Sequence, residues 1–134
     1  MSAITQVDTS AAVAAFIRFL ETNEAPEGLL APDVFADLTF PHWRIQTTTA
    51  DDLIAIRHGR PPGAVRVERV DPTGRGFLIQ LEERWQDGEQ WYARELFRAD
   101  LEADRIVELA GYCPGNWDEE AQRKHAAKIT LVRP

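Results

Sequence analysis

Two glutamates, Glu83 and Glu95, are the residues of this sequence best suited to acid–base chemistry. They lie in two segments typical of neighbouring strands, on either side of a turn at residues 86–88. If that turn is a three-residue loop with Gly88 in the left-handed conformation, both carboxyl groups lie on one apolar face. Two carboxyl groups in an apolar cavity repel when both are ionised, so one keeps its proton as an acid while the other acts as a base. The pair predicts cofactor-independent enolisation, cyclisation or dehydration of a carbonyl compound.

The length of this turn decides whether the two glutamates share a face. A two-residue turn at Asp87 and Gly88 would shift the register by one residue and separate Glu83 from Glu95. With the three-residue loop, the face opposite the glutamates is polar and matched in charge. That polar face carries Gln80, Glu82, Arg84, Tyr92, Arg94 and Arg98. In the structural alternative, either glutamate pairs with an arginine such as Arg44 or Arg98 and only stabilises the sheet.

Other candidate site residues come from the first strands and from the aromatic side chains. His42 follows Pro41 at a bend and is a candidate proton shuttle near neutral pH, with a plain surface histidine as the alternative. Asp37 is a catalytic candidate only if it faces inward, which the local alternation leaves open. The aromatic residues are candidates either for the walls of a ligand cavity or for the core. They are Trp43, Trp85, Trp91, Phe97, Phe40 and Phe16.

Composition narrows the class of protein. The 134 residues are expected to form a single domain over residues 1–134, with an ordinary hydrophobic fraction of 44%. A net charge of −7 argues against binding to nucleic acid or to an anionic membrane surface. The absence of a secretory signal pattern and the single cysteine, Cys113, favour the cytoplasm. No motif with metal-ligand spacing or a phosphate-binding glycine loop occurs, so we expect neither a metal nor a cofactor.

The order of predicted elements indicates an α+β domain, in which a curved mixed or antiparallel sheet wraps around helices and leaves a cone-shaped cavity. An apolar stripe predicts a first helix over residues 9–21, and a helical turn fits near Leu29 and Leu30. Thr49 is expected to cap a second helix, and Asn116 a third, with Glu119 completing a capping box. Strands are predicted over residues 34–40, 42–48, 64–70, 77–85, 91–97 and 105–112, and residues 129–132 are either an edge strand or a tail.

Five stretches carry a family resemblance that covers nearly the whole chain: residues 30–37, 49–56, 95–99, 105–108 and 112–118. In sequence and order they resemble the nuclear transport factor 2-like (NTF2-like) superfamily, particularly its SnoaL-like branch of polyketide cyclases. The resemblance implies the cone-shaped fold and a homodimer formed through the sheet. It is weak for the reaction, because the superfamily contains isomerases, cyclases, dehydratases, epoxide hydrolases and non-enzymes.

The resemblance also tests individual residues. Glu95 falls where ketosteroid isomerases place a carboxylic acid that donates a hydrogen bond to the developing oxyanion. The base of those enzymes falls near Leu38, and their helix-borne tyrosine falls in the first helix, which has only Phe16 and Phe19. The last-strand aspartate of limonene epoxide hydrolases falls near Gly111. Neither of these two catalytic sets is therefore complete.

Two functional hypotheses follow. The first is an acid–base enzyme that cyclises, isomerises or dehydrates a small, fairly apolar carbonyl or polyketide-like metabolite, with Glu95 as the principal acid or base and Glu83 or His42 as its complement. The second is a non-catalytic ligand-binding or dimerisation module of the same fold. Carboxyl groups held in ion pairs would favour the second hypothesis, and an open cavity with unpaired carboxyl groups would favour the first.

Overall fold

The computed structural model describes residues 8–134, and within this range the chain forms three helices and one six-stranded sheet. The helices are α1 (Ser10–Thr22), α2 (Ala50–Arg57) and α3 (Glu119–Lys128). The strands are β1 (Leu30–Phe40), β2 (Trp43–Thr47), β3 (Gly63–Pro72), β4 (Gly76–Asp87), β5 (Glu89–Glu102) and β6 (Arg105–Tyr112).

The sheet is open and mixed, with the strand order β2-β1-β6-β5-β4-β3. Strands β1 and β6 are parallel, and all the other neighbours are antiparallel. The parallel pair joins the first strand to the last, so residues distant in sequence meet at the centre of the sheet. The predicted α+β class is confirmed.

The β4–β5 hairpin determines which side chains face inward. Pairing continues to Asp87 and Glu89, so Gly88 alone separates the strands, with a φ of 72°. The predicted three-residue loop is therefore too long. The observed strand register differs from the register which that loop would give by an even number of residues. Because side chains alternate with a period of two, the predicted faces are preserved and Trp85 lies opposite Trp91.

Helices α1 and α2 cover one face of the sheet and enclose the core. Phe16, Phe19 and Leu20 form the buried stripe of α1, as their spacing predicts. The side chain of Thr49 caps α2 by accepting a hydrogen bond of 3.1 Å from the backbone N–H of Asp52. The buried core joins these helices to the inner faces of β1, β4, β5 and β6.

Two predicted boundaries are wrong, and tertiary pairing explains both. A helical turn was predicted near Leu29 and Leu30, but strand β1 already begins at Leu30. It begins there because Leu30 pairs with Ile106 of β6. The third helix begins at Glu119 with Asp118, not Asn116, as its N-cap. The backbone of Trp117 is paired with Tyr92 through two hydrogen bonds, which keeps the chain extended up to the cap.

The C-terminal residues 129–132 follow α3 as an exposed tail and form no strand in the described chain. Among residues 8–134, no helix has the length and apolar character needed to cross a membrane.

Candidate active site

A cavity of about 240 Å³ lies between the two covering helices and the inner face of the sheet. Its walls are mostly apolar, formed by side chains from α1, α2, β1 and β5. They include Phe16, Leu20, Leu38, Phe40, Leu53 and Phe97. Polar groups line the remainder: Thr39, Arg57, Arg60, Glu95, Tyr112, Cys113 and Asn116. A cavity that is apolar apart from a few polar groups is typical of a small-ligand site.

The two glutamates lie together on the inward face of the hairpin. Glu95 pairs with Leu81 across the strands and Glu83 pairs with Ala93, so the carboxyl groups are diagonal neighbours on one face. Both residues are buried, with 8% of Glu95 and 4% of Glu83 exposed. Glu95 lines the cavity, whereas Glu83 lies behind it.

Two arginines hold the carboxyl group of Glu83. Nη2 of Arg57 donates a hydrogen bond of 2.8 Å to Oε1 of Glu83, and Nη1 donates one of 3.3 Å to Oε2. Arg60 donates through Nη2 to the same Oε2. Arg57 also donates to the carbonyl of Leu20 at 2.7 Å, which ties the group to α1. The partners are thus different from the expected Arg44 and Arg98, which bind other carboxylates.

Glu95 has no comparable partner. Its Oε1 lies 3.5 Å from Nη2 of Arg60, and this buried oxygen has no hydrogen-bond partner among residues 8–134. Burial, and then the hydrogen bond with Glu83 and its negative charge, raise the pKa of Glu95 well above the ordinary 4.5. The positive charges of Arg60 and Arg57 oppose this rise without cancelling it.

The pKa of Glu83 moves in the opposite direction. Burial acts to raise it, but the hydrogen bond with Glu95 and the charges of Arg57 and Arg60 outweigh burial and lower this pKa to about 2. The two pKa values are thus driven apart, which makes Glu95 the acid of the pair and Glu83 the carboxylate. Environment alone separates the two pKa values, as in other carboxyl pairs with divided roles.

Neither arginine is among the sequence-predicted site residues, although a signal for them exists. Leu53, Ile56, Arg57 and Arg60 recur at intervals of three or four, and all four line the cavity. Arg60 lies just beyond α2, where the side chain of Asn23 donates a hydrogen bond of 2.8 Å to its carbonyl. Its guanidinium carbon lies 3.9 Å from the ring centroid of Trp85. The arginine is therefore fixed at both its backbone and its side chain.

The end of β6 supplies a second group of polar lining residues. The backbone N–H of Cys113 donates a hydrogen bond of 2.9 Å to the carbonyl of Thr39, which extends the parallel pairing with β1. The Cys113 thiol lies 3.9 Å from Oδ1 of Asn116. Burial, followed by the negative charge of Glu95, raises the pKa of this thiol, so it stays protonated at neutral pH.

Two predicted catalytic candidates lie outside the cavity. His42 is exposed at the β1–β2 turn, where its φ of 58° directs the chain back into β2. Asp37 is bound by Arg44 on the neighbouring strand, with Nε donating to Oδ1 at 2.8 Å. That hydrogen bond lowers the pKa of Asp37 and keeps the carboxylate ionised. Neither side chain is a lining residue.

The aromatic candidates divide into two groups. Phe16, Phe40 and Phe97 line the cavity, and the rings of Phe16 and Phe97 meet edge to face at 5.1 Å. The three tryptophans are not lining residues, which corrects the expectation that they form cavity walls. Trp43 is 66% exposed on the edge strand β2, and Trp85 stacks on Trp91 with a centroid distance of 6.4 Å.

Over residues 8–134, no three His, Cys, Asp or Glu side chains come together in a way that could hold a metal ion.

Solved structures with the same architecture are found at low sequence identity. An NTF2-like protein from Anabaena variabilis has a TM-score of 0.69 at 12% identity, covering 86% of this chain and 95% of that chain. A ketosteroid isomerase-like protein from Kribbella flavida has a TM-score of 0.62 at 16% identity, with coverages of 93% and 91%. A SnoaL-like, polyketide cyclase-like protein from Jannaschia sp. CCS1 has a TM-score of 0.60 at 13% identity, with coverages of 97% and 100%.

These similarities show that the chain has the NTF2-like fold, as the sequence resemblance implies. No protein-family model matches the sequence, and no curated protein matches it. Because one fold supports several activities, the function has to be argued from the site itself.

Proposed function

We propose that this protein is a cofactor-independent acid–base enzyme that cyclises or dehydrates a small, fairly apolar carbonyl compound, with Glu95 as its acid. One observation carries the proposal. A buried carboxyl group lines an apolar cavity, and burial together with the neighbouring Glu83 raises the pKa of this group, which favours its protonated form. A carboxylic acid kept neutral at pH 7 in this way can donate a proton or a hydrogen bond to a substrate oxygen.

Glu95 can serve both halves of such a reaction. Its O–H donates to a carbonyl oxygen in a cyclisation, or to a departing hydroxyl group in a dehydration, and its other oxygen accepts the proton from the adjacent carbon. In the dehydration, the C–O and C–H bonds break, water leaves, and the proton taken from carbon restores the acid. Oε1 of Glu95, which has no hydrogen-bond partner among residues 8–134, is suited to one of these two tasks.

The surrounding charges support this role. Arg60 lies 3.5 Å from Glu95 and stabilises negative charge that develops on Glu95 or on the substrate oxygen. Glu83 is a positioning residue, because it binds Arg57 and Arg60 and orients Glu95 without lining the cavity itself. Phe16, Leu38 and Phe97 exclude water and so strengthen these interactions.

The lining of the cavity favours cyclisation or dehydration over the other reactions of the resemblance. Glu95 is the one carboxyl group among the lining residues of the described chain. The position of an isomerase base is near the apolar Leu38, and Gly111 has no side chain with which to hold a hydrolytic water. A reaction that needs one acid in an apolar enclosure therefore fits best.

The Kribbella flavida and Jannaschia proteins support this proposal at the level of the fold. Their descriptions are ketosteroid isomerase-like and SnoaL-like polyketide cyclase-like, and both descriptions belong to acid–base chemistry on carbonyl compounds. The likeness is one of fold, so the assignment of Glu95 depends on the contacts described above.

A second candidate is a binding module without catalysis. It is favoured by the ion pairs of Glu83, whose carboxylate is fully engaged by Arg57 and Arg60. In this account the cluster fixes α2 against the sheet, and Glu95 supplies only a hydrogen bond to a bound ligand.

Turnover of a compound panel separates the two candidates. We would incubate the protein with small apolar β-hydroxyketones and follow the conjugated product by its absorbance. The proposal expects turnover by the wild type, a loss of about 100-fold or more in Glu95→Gln, and none in the matched control Glu68→Gln on the other face of the sheet. Wild-type turnover retained by Glu95→Gln would refute the role of Glu95, and binding without turnover by either form would favour the binding module.

A homodimer formed through the sheet and a cytoplasmic location both stay predictions. Exposed apolar side chains on the sheet, such as Val67, Val70 and Leu96, are compatible with a partner surface. Light scattering during size-exclusion chromatography tests the dimer directly, with twice the chain mass expected.

A further inference from the structure

The charged cluster at the cavity has an imbalance of charge. It consists of the guanidinium groups of Arg57 and Arg60, the carboxylate of Glu83, and the carboxyl group of Glu95 in the protonated form that the proposed function requires. Two positive groups against one negative group leave one net positive charge. The other lining residues are uncharged: the remaining polar members are Thr39, Tyr112, Cys113 and Asn116.

A buried positive charge without a counterion is unfavourable, because the low-dielectric surroundings cannot solvate it. The side chains of Arg57 and Arg60 are only 13% and 19% exposed, so bulk water compensates them poorly. Among the residues of the described chain, the nearest further carboxyl group is that of Glu95, which compensates the charge only by giving up its proton. A bound anion would supply the missing charge and leave that proton in place.

The positive charge is accessible from the cavity at Arg60, next to Glu95. Both Arg60 and Glu95 are lining residues, and their closest polar atoms are 3.5 Å apart. The ring of Trp85 lies against the Arg60 guanidinium and holds its plane. An oxygen atom on the cavity side of the Arg60 guanidinium can accept a hydrogen bond from it, which leaves the acid of Glu95 available for the reacting group.

We propose that the ligand of this cavity is a small apolar carbonyl compound that also carries a carboxylate group, and that this carboxylate binds to Arg60 beside the reacting group at Glu95. The inference deepens the proposed function and rests on it for the choice of this cavity as the substrate site. A planar guanidinium is suited to a carboxylate, since its fork of donors matches the two oxygens. The apolar remainder of the ligand fills the volume of about 240 Å³ beside Phe16, Leu38 and Phe97.

The state of Glu95 sets the pH dependence of this binding. The charged or titratable groups that face it are Glu83 from β4, Arg57 and Arg60 from α2 and the segment after it, and Cys113 after β6. Ionisation of Glu95 makes the cluster neutral, so carboxylate affinity falls as pH rises through the pKa of Glu95. By linkage, carboxylate binding in that range takes up a proton.

Calorimetric titration of matched acids and amides tests the proposal without any variant. The pairs are 3-phenylpropanoate with 3-phenylpropanamide, and shorter and longer homologues of each. At about pH 6, where a free acid of this kind is ionised, we expect at least one acid of the series to bind about tenfold or more tightly than its amide. Equal affinity, tighter binding of the amides, or no binding of any acid would overturn the proposal.

Two variants then separate this inference from the proposed function. Glu95→Gln keeps the net positive charge, so it should keep the preference for the acid while losing proton uptake and turnover. Arg60→Gln should reduce the acid-to-amide ratio to about one, while Arg60→Lys, which keeps the charge but lacks the planar fork, should retain only part of it.

The outcomes are distinct. Turnover retained in Glu95→Gln together with a preference for acids would refute the catalytic role alone. Loss of turnover in Glu95→Gln without any preference for acids in the wild type would refute the carboxylate ligand alone.

Discussion

The two faces of the β4–β5 hairpin carry similar charged residues and use them differently. On the outer face, Glu82 and Glu68 bind Arg66 and Arg94, whose side chains are 57% and 50% exposed. On the inner face, Glu83 and Glu95 share Arg57 and Arg60, which are mostly buried. Each of these two clusters thus contains two carboxyl groups and two arginines.

The difference lies in the partners and the solvent. Each outer carboxylate has its own arginine: Arg66 lowers the pKa of Glu82, and Arg94 lowers that of Glu68. On the inner face both arginines bind Glu83, and the pKa of Glu95 is raised. The inner cluster therefore differs from a structural ion-pair network in two respects: it is buried, and both of its arginines bind the same carboxylate. Both differences favour a proton on the other carboxyl group, that of Glu95.

The largest expected contrast is in stability. Glu83→Gln leaves two buried guanidinium groups without their carboxylate, and it should lower the free energy of unfolding by about 3–5 kcal/mol. Glu68→Gln removes a carboxylate whose arginine partner is half exposed, and it should lower that free energy by less than about 1 kcal/mol. Urea denaturation of both variants gives the comparison, and equal effects would contradict the distinction between the faces.

The pH dependence of stability gives the next contrast. Folded Glu95 holds a proton that the unfolded chain releases above pH 4.5, so wild-type stability should fall as pH rises from there until Glu95 ionises in the folded state. The slope should approach about 1.4 kcal/mol per pH unit. Glu83 acts with the opposite sign, since its contribution is lost as pH falls from 4.5 towards about 2.

Glu95→Gln should remove the first slope and preserve the second. Urea denaturation between about pH 2 and pH 8 measures both. Parallel curves for the wild type and Glu95→Gln above pH 4.5 would show that Glu95 is not protonated in the folded protein.

Part of this comparison can be predicted from sequence. The alternation in β4 and β5 places Glu83 and Glu95 on the apolar face, and the even shift at Gly88 preserves that placement. The arginine partners of Glu83 could not be predicted from the sequence. Arg57 and Arg60 come from α2 and the segment after it, and their contact with Glu83 depends on tertiary packing.

The positions of Trp43 and His42 could not be predicted from residue type or local pattern either. Residue type alone favours Trp43 as a cavity wall, but it lies on the edge strand β2, where the sheet offers nothing to cover it. His42 lies at a turn whose positive φ directs the chain into β2, and it stays exposed. Local patterns predict elements and faces, whereas the edges of the sheet are decided by strand order.

A smaller effect is expected from the outer hydroxyl group of Tyr92. It donates a hydrogen bond of 2.7 Å to Oε1 of Glu82, and burial together with this bond raises the pKa of Tyr92 to about 12. Tyr92→Phe should lower the free energy of unfolding by about 1 kcal/mol and leave turnover unchanged. A large loss of turnover would show that the outer face takes part in the reaction.

The smallest expected effect is the response to salt. The outer pair of Glu68 and Arg94 is open to solvent, so the effect of Glu68→Gln on stability should vanish at about 1 M salt. The effect of Glu83→Gln should persist, because its partners are shielded from ions. Urea denaturation at low and high salt measures both, and a salt-sensitive Glu83→Gln would indicate that water enters the cluster.

Direct titration of the two carboxyl groups tests the central claim. Protein labelled with ¹³C at the glutamate carboxyl carbons would be followed by NMR from about pH 3 to pH 9, with Glu95→Gln and Glu83→Gln to assign the signals. We expect the Glu83 signal to stay ionised throughout and the Glu95 signal to remain protonated well above pH 4.5. Two carboxyl groups that are both ionised at neutral pH, with ordinary or lowered pKa values, would contradict the account.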